Sequence, residues 1–349
     1  MLETLLRGID ATEINAFARA VQTPADYALT LSVMPERTIN SVKFRIKSTS
    51  RRVNAAKYRA WDAQTAVATR EAKRIVTEGM LPPLGQKYLV GELEQILLDT
   101  SRGADASELV ELLYQDVAAH VQSIKSRLEL AVGDLLTDGK FTLSGENGLT
   151  VEYDAGVPAA NMPTASKAWT DPTADALKDE MAWIETLRAS GAPLPSRVVT
   201  SYKARALLAA NNAYRAAFYG SVSPSTTPTA TLAPNEVDVV RARYGLPPIS
   251  VYDVQIPKDD GTMARPIPED RWLMLPPNPQ TWGETQYGVT AESLVLSSGG
   301  NPAILREEAP GIVVTHGYTD DPVQVWTKGA AVAMPVLYVP DIHITAKVF

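Results

Sequence analysis

The stretch from Asp105 to Gly139 constrains the fold more than any other, because it is the longest uninterrupted helical pattern in the chain. Leu109, Leu113, Val117, Val121, Ile124, Leu128, Val132 and Leu135 recur at steps of three and four, which draws an apolar stripe along one side of a helix. Asp105 followed by Glu108 supplies an N-cap with a capping-box partner, and Gly139 after Thr137-Asp138 supplies a stop. A helix of this length is longer than a small domain is wide, so it predicts a rod with other elements packed along the stripe.

The stripe needs partners, and the composition provides them: 45% of the 349 residues are hydrophobic, enough for a sizeable core and for two ordinary domains. Lys and Arg total 33 against 40 acids, a net charge of −7, so any nucleic-acid contact must come from a local patch. The absence of cysteine removes disulfides, thiolate nucleophiles and Cys-ligated metals together, and favours a reducing compartment. The N-terminus carries an early acid and only a short apolar run, unlike a cleavable signal peptide. The most apolar segment, Ala330 to Val339, is too short to span a bilayer and is interrupted by Pro335, so the expectation is a soluble protein made in a cytoplasm.

Before the rod, Ala11 to Val21 reads as a short helix, and the chain from there through Pro35 lacks a strong period and reads as an arm rather than a core element. From Ser41 the period becomes two: Val42, Phe44 and Ile46 alternate with Lys43, Arg45 and Lys47. The basic character continues through Arg51, Arg52, Lys57 and Arg59, and Trp61 to Arg70 reads as the return strand of a long excursion closed by Leu81-Pro-Pro-Leu-Gly. Such a ribbon holds too little apolar material to stand alone and should lie on something else, which in a self-assembling protein can be a neighbour. Tyr88 to Leu98 carries a helix-compatible pattern.

After the rod, Phe141 to Tyr153 reads as a β-hairpin turning at Asn147-Gly148. Helical patterns at Asp175 to Leu187, Tyr202 to Ala217 and Pro234 to Tyr244, with a strand at Arg197 to Thr200, suggest a second, mixed domain. Ser221 to Thr231 is a surface loop by composition. Ile249 to Ile256 and Ala264 to Leu275 are expected as strands joined at Asp259-Asp-Gly261. Short β runs at Val323 to Trp326, Ala333 to Val339 and Ile342 to Phe349 should return to a sheet begun earlier.

Gly139-Lys-Phe-Thr-Leu with Val151-Glu-Tyr-Asp154, Trp169-Thr-Asp-Pro-Thr-Ala-Asp175, Tyr244-Gly-Leu-Pro247 with Val251-Tyr-Asp-Val254, and the closing Trp326-Thr-Lys, Met334-Pro-Val-Leu and Pro340-Asp341 occur in an order that resembles the major capsid protein E family of tailed bacteriophages. The resemblance implies an α+β chain with the Hong Kong 97-like fold. It would divide into an N-terminal arm (1–35), an extended loop (36–75), a peripheral domain (76–165 and 310–349) with its spine helix at 105–139, and an axial domain (166–309). It further implies hexamers and pentamers that tile an icosahedral shell around double-stranded DNA in the virion, assembled in the host cytoplasm with scaffolding, portal and decoration proteins as partners. DNA would be touched by weak non-specific contact, and no membrane, cofactor or metal is implied.

Against that background the basic ribbon Lys43, Arg45, Lys47, Arg51, Arg52, Lys57 and Arg59 has three readings: a solvated strand face, a phosphate-binding patch, or a face that lies over an acidic neighbouring subunit. The last is favoured, since stacking aromatics are few and the net charge is negative. An enzyme is not expected. His120, His316 and His343 have no metal-site spacing, no nucleophile elbow or phosphate-loop motif is present, and Asp259-Asp-Gly261 and Asp320-Asp321 sit where turns belong. Two alternatives remain at this point. One is an encapsulin-like cellular shell that holds protein cargo, and the other is a soluble α+β hydrolase using Asp or Glu with His316.

Overall fold

The structure is a computed structural model that describes residues 11–48, 75–91, 107–146, 148–220, 230–258, 260–298, 311–321 and 323–349. Helix α1 (Ala11–Ala20) is followed by β1 (Glu36–Thr38), β2 (Lys43–Ser48), β3 (Ile75–Met80), β4 (Pro83–Val90), the spine helix α2 (Ser107–Asp138), β5 (Lys140–Glu146) and β6 (Leu149–Asp154). Next come α3 (Ala176–Ser190), β7 (Arg197–Thr200), α4 (Tyr202–Ala210), α5 (Asn212–Tyr219), α6 (Pro234–Arg243), β8 (Ile249–Val251), β9 (Ile256–Pro257), β10 (Met263–Ala264) and β11 (Arg271–Leu275). The chain closes with α7 (Pro279–Trp282), β12 (Gly283–Tyr287), α8 (Ala291–Ser298), β13 (Val313–Asp320), β14 (Val323–Leu337) and β15 (Ile344–Lys347).

The expected rod is present as 32 helical residues, about 48 Å at 1.5 Å per residue. It ends as expected, with Gly139 at φ 77° donating its N–H to Leu135 O at 3.0 Å, a left-handed cap that glycine adopts without steric cost. The stripe serves three successive clusters. Val117 and Val121 meet Ile14, Ala18 and Val314; Ile124 and Leu128 meet Tyr287, Ala331 and Ala333; Val132 and Leu135 join Phe141, Tyr153, Leu273 and Leu337. Asp105, the expected N-cap, lies outside the described residues.

Beneath the spine runs a sheet ordered β1-β12-β14-β13, with β4 also paired to β14. Strand β14 is continuous over 15 residues, whereas the sequence pattern reads as separate short runs divided by Pro335. Pro335 is tolerated because β4 leaves the ladder at Val332, so the strand beyond it has β12 alone as a partner. The late strand does return to early chain: Val325 pairs with Val90 and Val332 with Pro83.

A second sheet, β15-β11-β7-β8, is apolar on both faces and separates two cores. Val199, Leu273 and Leu275 point to the core that holds the spine, and Val198, Trp272, Met274, Ile344 and Ala346 point to one filled by Leu187, Leu208, Tyr214 and Val240 of the helices α3 to α6. The spine therefore lies against the second sheet as well as the first, and Thr345 Oγ1 donates to Leu136 O of the spine at 2.8 Å.

Several expectations are corrected. The strand that pairs with Lys43–Ser48 is Ile75–Met80; Trp61 to Arg70, expected in that role, lies outside the described residues, as does most of the Ser221 to Thr231 loop. Tyr88 to Val90 is strand and not helix, because alternation prevails: Tyr88 stacks inward on His120 at 4.5 Å while Leu89 points outward. The helix expected over Tyr202 to Ala217 is broken at Asn211, whose side chain accepts from Ala213 N at 3.0 Å and starts a second helix. Ile249–Val251 does not pair with the following strands; it runs parallel to Arg197–Thr200, and the hairpin at the Asp-Gly turn is only β9 with β10. The chain through Pro35 does not stay outside the core: Leu29, Val33 and Met34 are fully buried in the cluster that holds the spine.

Candidate assembly surface

The ribbon begins where β2 and β3 lie side by side, antiparallel, with Lys43 opposite Met80, Arg45 opposite Glu78 and Lys47 opposite Val76. Its inner face is anchored: Phe44 and Ile46 are 4% and 7% exposed, and the Phe44 ring meets Tyr153 of the hairpin edge-on at 5.3 Å. Burial of the two side chains contributes roughly 2 kcal/mol each. The alternate positions Lys43 and Arg45 are exposed, so the two faces are present from Lys43 to Ile46; Val42, expected on the apolar face, precedes the strand and is 40% exposed. Lys47 continues β2, while Arg51, Arg52, Lys57 and Arg59 lie outside the described residues.

One partner on this face escapes sequence reasoning. Arg45 Nε lies 2.7 Å from Glu78 Oε1, with both side chains more than half exposed, so part of the basic character is balanced within the ribbon itself. A cross-strand pair at this exposure is worth less than about 1 kcal/mol and leaves both groups accessible. The signal that would locate Glu78 is its place directly before the Leu81-Pro-Pro-Leu-Gly stop, on the true return strand.

The histidines fall in structural settings. His120 is buried with Nε2 3.0 Å from Thr327 Oγ1, and the Thr327 hydroxyl donates to Asp116 Oδ2 at 3.1 Å, so Nε2 carries the proton. Burial lowers the His120 pKa and raises that of Asp116. His343 is also buried, accepts from Trp282 Nε1 at 3.2 Å and is lowered to about 4 by burial. His316 stands on β13 opposite Thr327 in the ladder. Among the described residues no group of His, Asp and Glu has the arrangement of a metal site, and no helix is long and apolar enough to cross a membrane.

Two buried carboxylates organise the interior. Glu180 and Arg241 pair at 2.8 Å, Tyr214 donates its hydroxyl to Glu180 Oε1 at 2.6 Å, and Arg241 donates twice more to Pro247 O. The Arg241 guanidinium also lies 5.3 Å from the centre of the Trp272 ring. On the spine, Glu129 accepts from Leu29 N, Thr30 N, Thr30 Oγ1 and Tyr252 OH at 2.7 to 2.9 Å. Burial, and then the Glu129 charge, push the Tyr252 hydroxyl far above its ordinary pKa. Sequence reasoning found none of these groups, since isolated Glu and Arg carry no spacing signal.

A long spine between two sheets, with a two-stranded ribbon seated on its closing hairpin, defines the class: the Hong Kong 97-like fold of shell-building capsid subunits. Two of the solved structures to which the chain is similar illustrate the fold. One is assigned as the capsid protein of a prophage from E. coli CFT073, with TM-score 0.63 and 14% identity over 98% of this chain and 99% of that one. The other is a phage-related protein from Bordetella bronchiseptica RB50, with TM-score 0.55 and 13% identity over 96% and 95%. At such identities they show the fold alone. A search of curated proteins returns no match. The family model described as phage major capsid protein E matches residues 10–348, and the chain belongs to that family. Its role is accordingly that of a structural subunit of a phage head, a family role that is structural rather than enzymatic and that favours a phage capsid over a cellular cargo shell.

Proposed function

We propose that this subunit builds an icosahedral shell around double-stranded DNA from hexamers and pentamers, with the outward basic face of the ribbon lying on an acidic surface of the next subunit. The observation that carries this reading is the division of labour along β2. Phe44 and Ile46 fix the ribbon to its own body, and Lys43 and Arg45 are left facing out, unused by the core. Heterologous contacts of this kind close into rings, and charge complementarity sets their register more than their strength. Lys47, Arg51, Arg52, Lys57 and Arg59 are counted with the same interface in this proposal.

In this reading residues 1–35 are the arm, with Leu29, Val33 and Met34 at its end built into the core of the spine, 36–75 the extended loop, 76–165 with 310–349 the peripheral domain, and 166–309 the axial domain. The pairing of β15 with β11 supports counting Ile344–Lys347 with the axial sheet although it ends the peripheral segment. Scaffolding, portal and decoration proteins are the expected partners, with assembly in the host cytoplasm before DNA enters.

Charge reversal tests the ribbon. Arg45→Glu with Arg59→Glu should leave a folded chain that forms few closed shells by electron microscopy. The exchange Arg45→Glu with Glu78→Arg keeps the intrachain pair and separates the two roles of Arg45. If the exchange variant and the double reversal both give normal shell yields, the ribbon does not guide assembly.

A further inference from the structure

Between α1 and β1 the chain crosses the spine helix, and its polar contacts follow the course of the crossing. Lys125 Nζ of the spine donates to Val21 O at 3.2 Å and to Thr23 Oγ1 at 2.7 Å. The Tyr27 hydroxyl shares a 2.7 Å hydrogen bond with Ser126 Oγ. One helical turn further along, Glu129 Oε1 takes the Leu29 N–H at 2.9 Å, and Oε2 takes the Thr30 N–H at 2.8 Å and its hydroxyl at 2.7 Å. Arg197 of β7 then donates to Ser32 Oγ at 3.0 Å.

Residues Leu29–Val33 form a single π-helical turn closed by Met34 N to Leu29 O at 2.7 Å, a rare backbone form that regular helical hydrogen bonding does not sustain by itself. The first two N–H groups of that turn end on Glu129, so the carboxylate acts as its cap. Glu129 is wholly buried, and its remaining partner is Tyr252, which directly follows β8 of the second sheet, at 2.7 Å. One side chain thus gathers donors from chain segments about one hundred residues before it and more than one hundred after it.

We infer that residues 21–34 are a strap that closes over the spine helix, that Glu129 is its latch, and that Tyr252 makes closure depend on the second sheet being in place. Without the Tyr252 hydroxyl, the wholly buried Glu129 carboxyl loses one of its four donors, and holding the strap shut becomes less favourable. Leu29, Val33 and Met34 root the strap in the spine's core, so loss of the latch acts locally on the π turn: the spine has its own helical ladder and three apolar clusters, whereas the Leu29 and Thr30 amides end on Glu129.

Hydrogen exchange on the full chain tests this with Tyr252→Phe and Glu129→Gln. The expected result for Tyr252→Phe is exchange at the Leu29 and Thr30 amides at least about tenfold faster than in the parent, with spine amides from Ile124 to Leu136 unchanged. Glu129→Gln should give a larger change at the same amides. Two results overturn the inference: strap amides that exchange at the parent rate in Tyr252→Phe, or strap and spine amides that accelerate together, which would make Glu129 an ordinary core group. Tyr252→Phe removes one oxygen and creates no clash, so it decides the matter if Glu129→Gln fails to fold.

Discussion

Gly133→Ala should destabilise this protein although it sits in the middle of a helix, where alanine is ordinarily preferred. The intrinsic gain of alanine over glycine at an interior helical position is about 1 kcal/mol. Here a Cβ would meet the backbone of Pro266, with Pro266 Cα 2.7 Å away and its carbonyl carbon and oxygen closer still. Backbone atoms cannot rotate out of the way as a side-chain tip can. Relief needs the spine and the segment before β11 to part by roughly 1 Å, across a contact that also carries Val132, Leu135 and Leu273. Overpacking of this kind costs about 1 to 3 kcal/mol, and the loss of dispersion contacts along the opened seam adds to it. The net expectation is destabilisation of about 2 kcal/mol, read as a lower denaturant midpoint at unchanged slope for the unassembled chain. A raised midpoint in Gly133→Ala would refute the close approach of the spine to Pro266 and leave propensity as the governing effect.

Val121→Pro should prevent folding and not merely assembly, since it removes a mid-spine hydrogen bond and clashes with the preceding turn at a cost of about 3 kcal/mol or more; circular dichroism of the purified chain checks it. Arg241→Met should cost about 3 to 5 kcal/mol by removing the cationic partner of the buried Glu180, whereas adding Glu180→Leu should recover much of the loss in the same melting assay. Acid should weaken the fold through His343, whose folded pKa of about 4 lies below the usual value near 6.5. The unfolded chain then binds the extra proton, so stability is intact above pH 6.5 and falls as pH drops toward 4, by about 3 kcal/mol in all. Denaturant midpoints at pH 7, 6, 5 and 4 should show that slope in the parent and a flatter one in His343→Asn, which keeps a short polar side chain beside Trp282.

What was legible in the sequence follows from how local the deciding physics is. The spine, its glycine stop, the hairpin after it and the strand Arg197–Thr200 are each specified by period and by turn residues within a few positions, and each stands where expected. The misreadings share the opposite property. Tyr88 to Val90 has a pattern compatible with helix, and it becomes strand because a β14 segment more than two hundred residues later offers a ladder. Leu29, Val33 and Met34 show no period because a π turn and an extended exit present them to the core without one. Glu129, Glu180 and Arg241 look like surface charges in the sequence, and only the fold reveals the partners that let them be buried.

The same distinction separates the two surfaces of the ribbon. Phe44 and Ile46 were legible as an inward face because a core rewards alternation, and the core lies in the same chain. The outward face of Lys43 and Arg45 has Glu78 as a partner within the chain, a pair too exposed to fix anything. In the proposed assembly this basic face is specified by what it meets on the neighbour, and a single chain holds only one side of that contact. An active site is complete in one fold, while the assembly face proposed for this ribbon would be complete only when a second copy supplies the opposing charge. The informative variant is for that reason the exchange of Arg45 with Glu78, which can keep the intrachain pair while altering the charge that the proposed neighbour would meet.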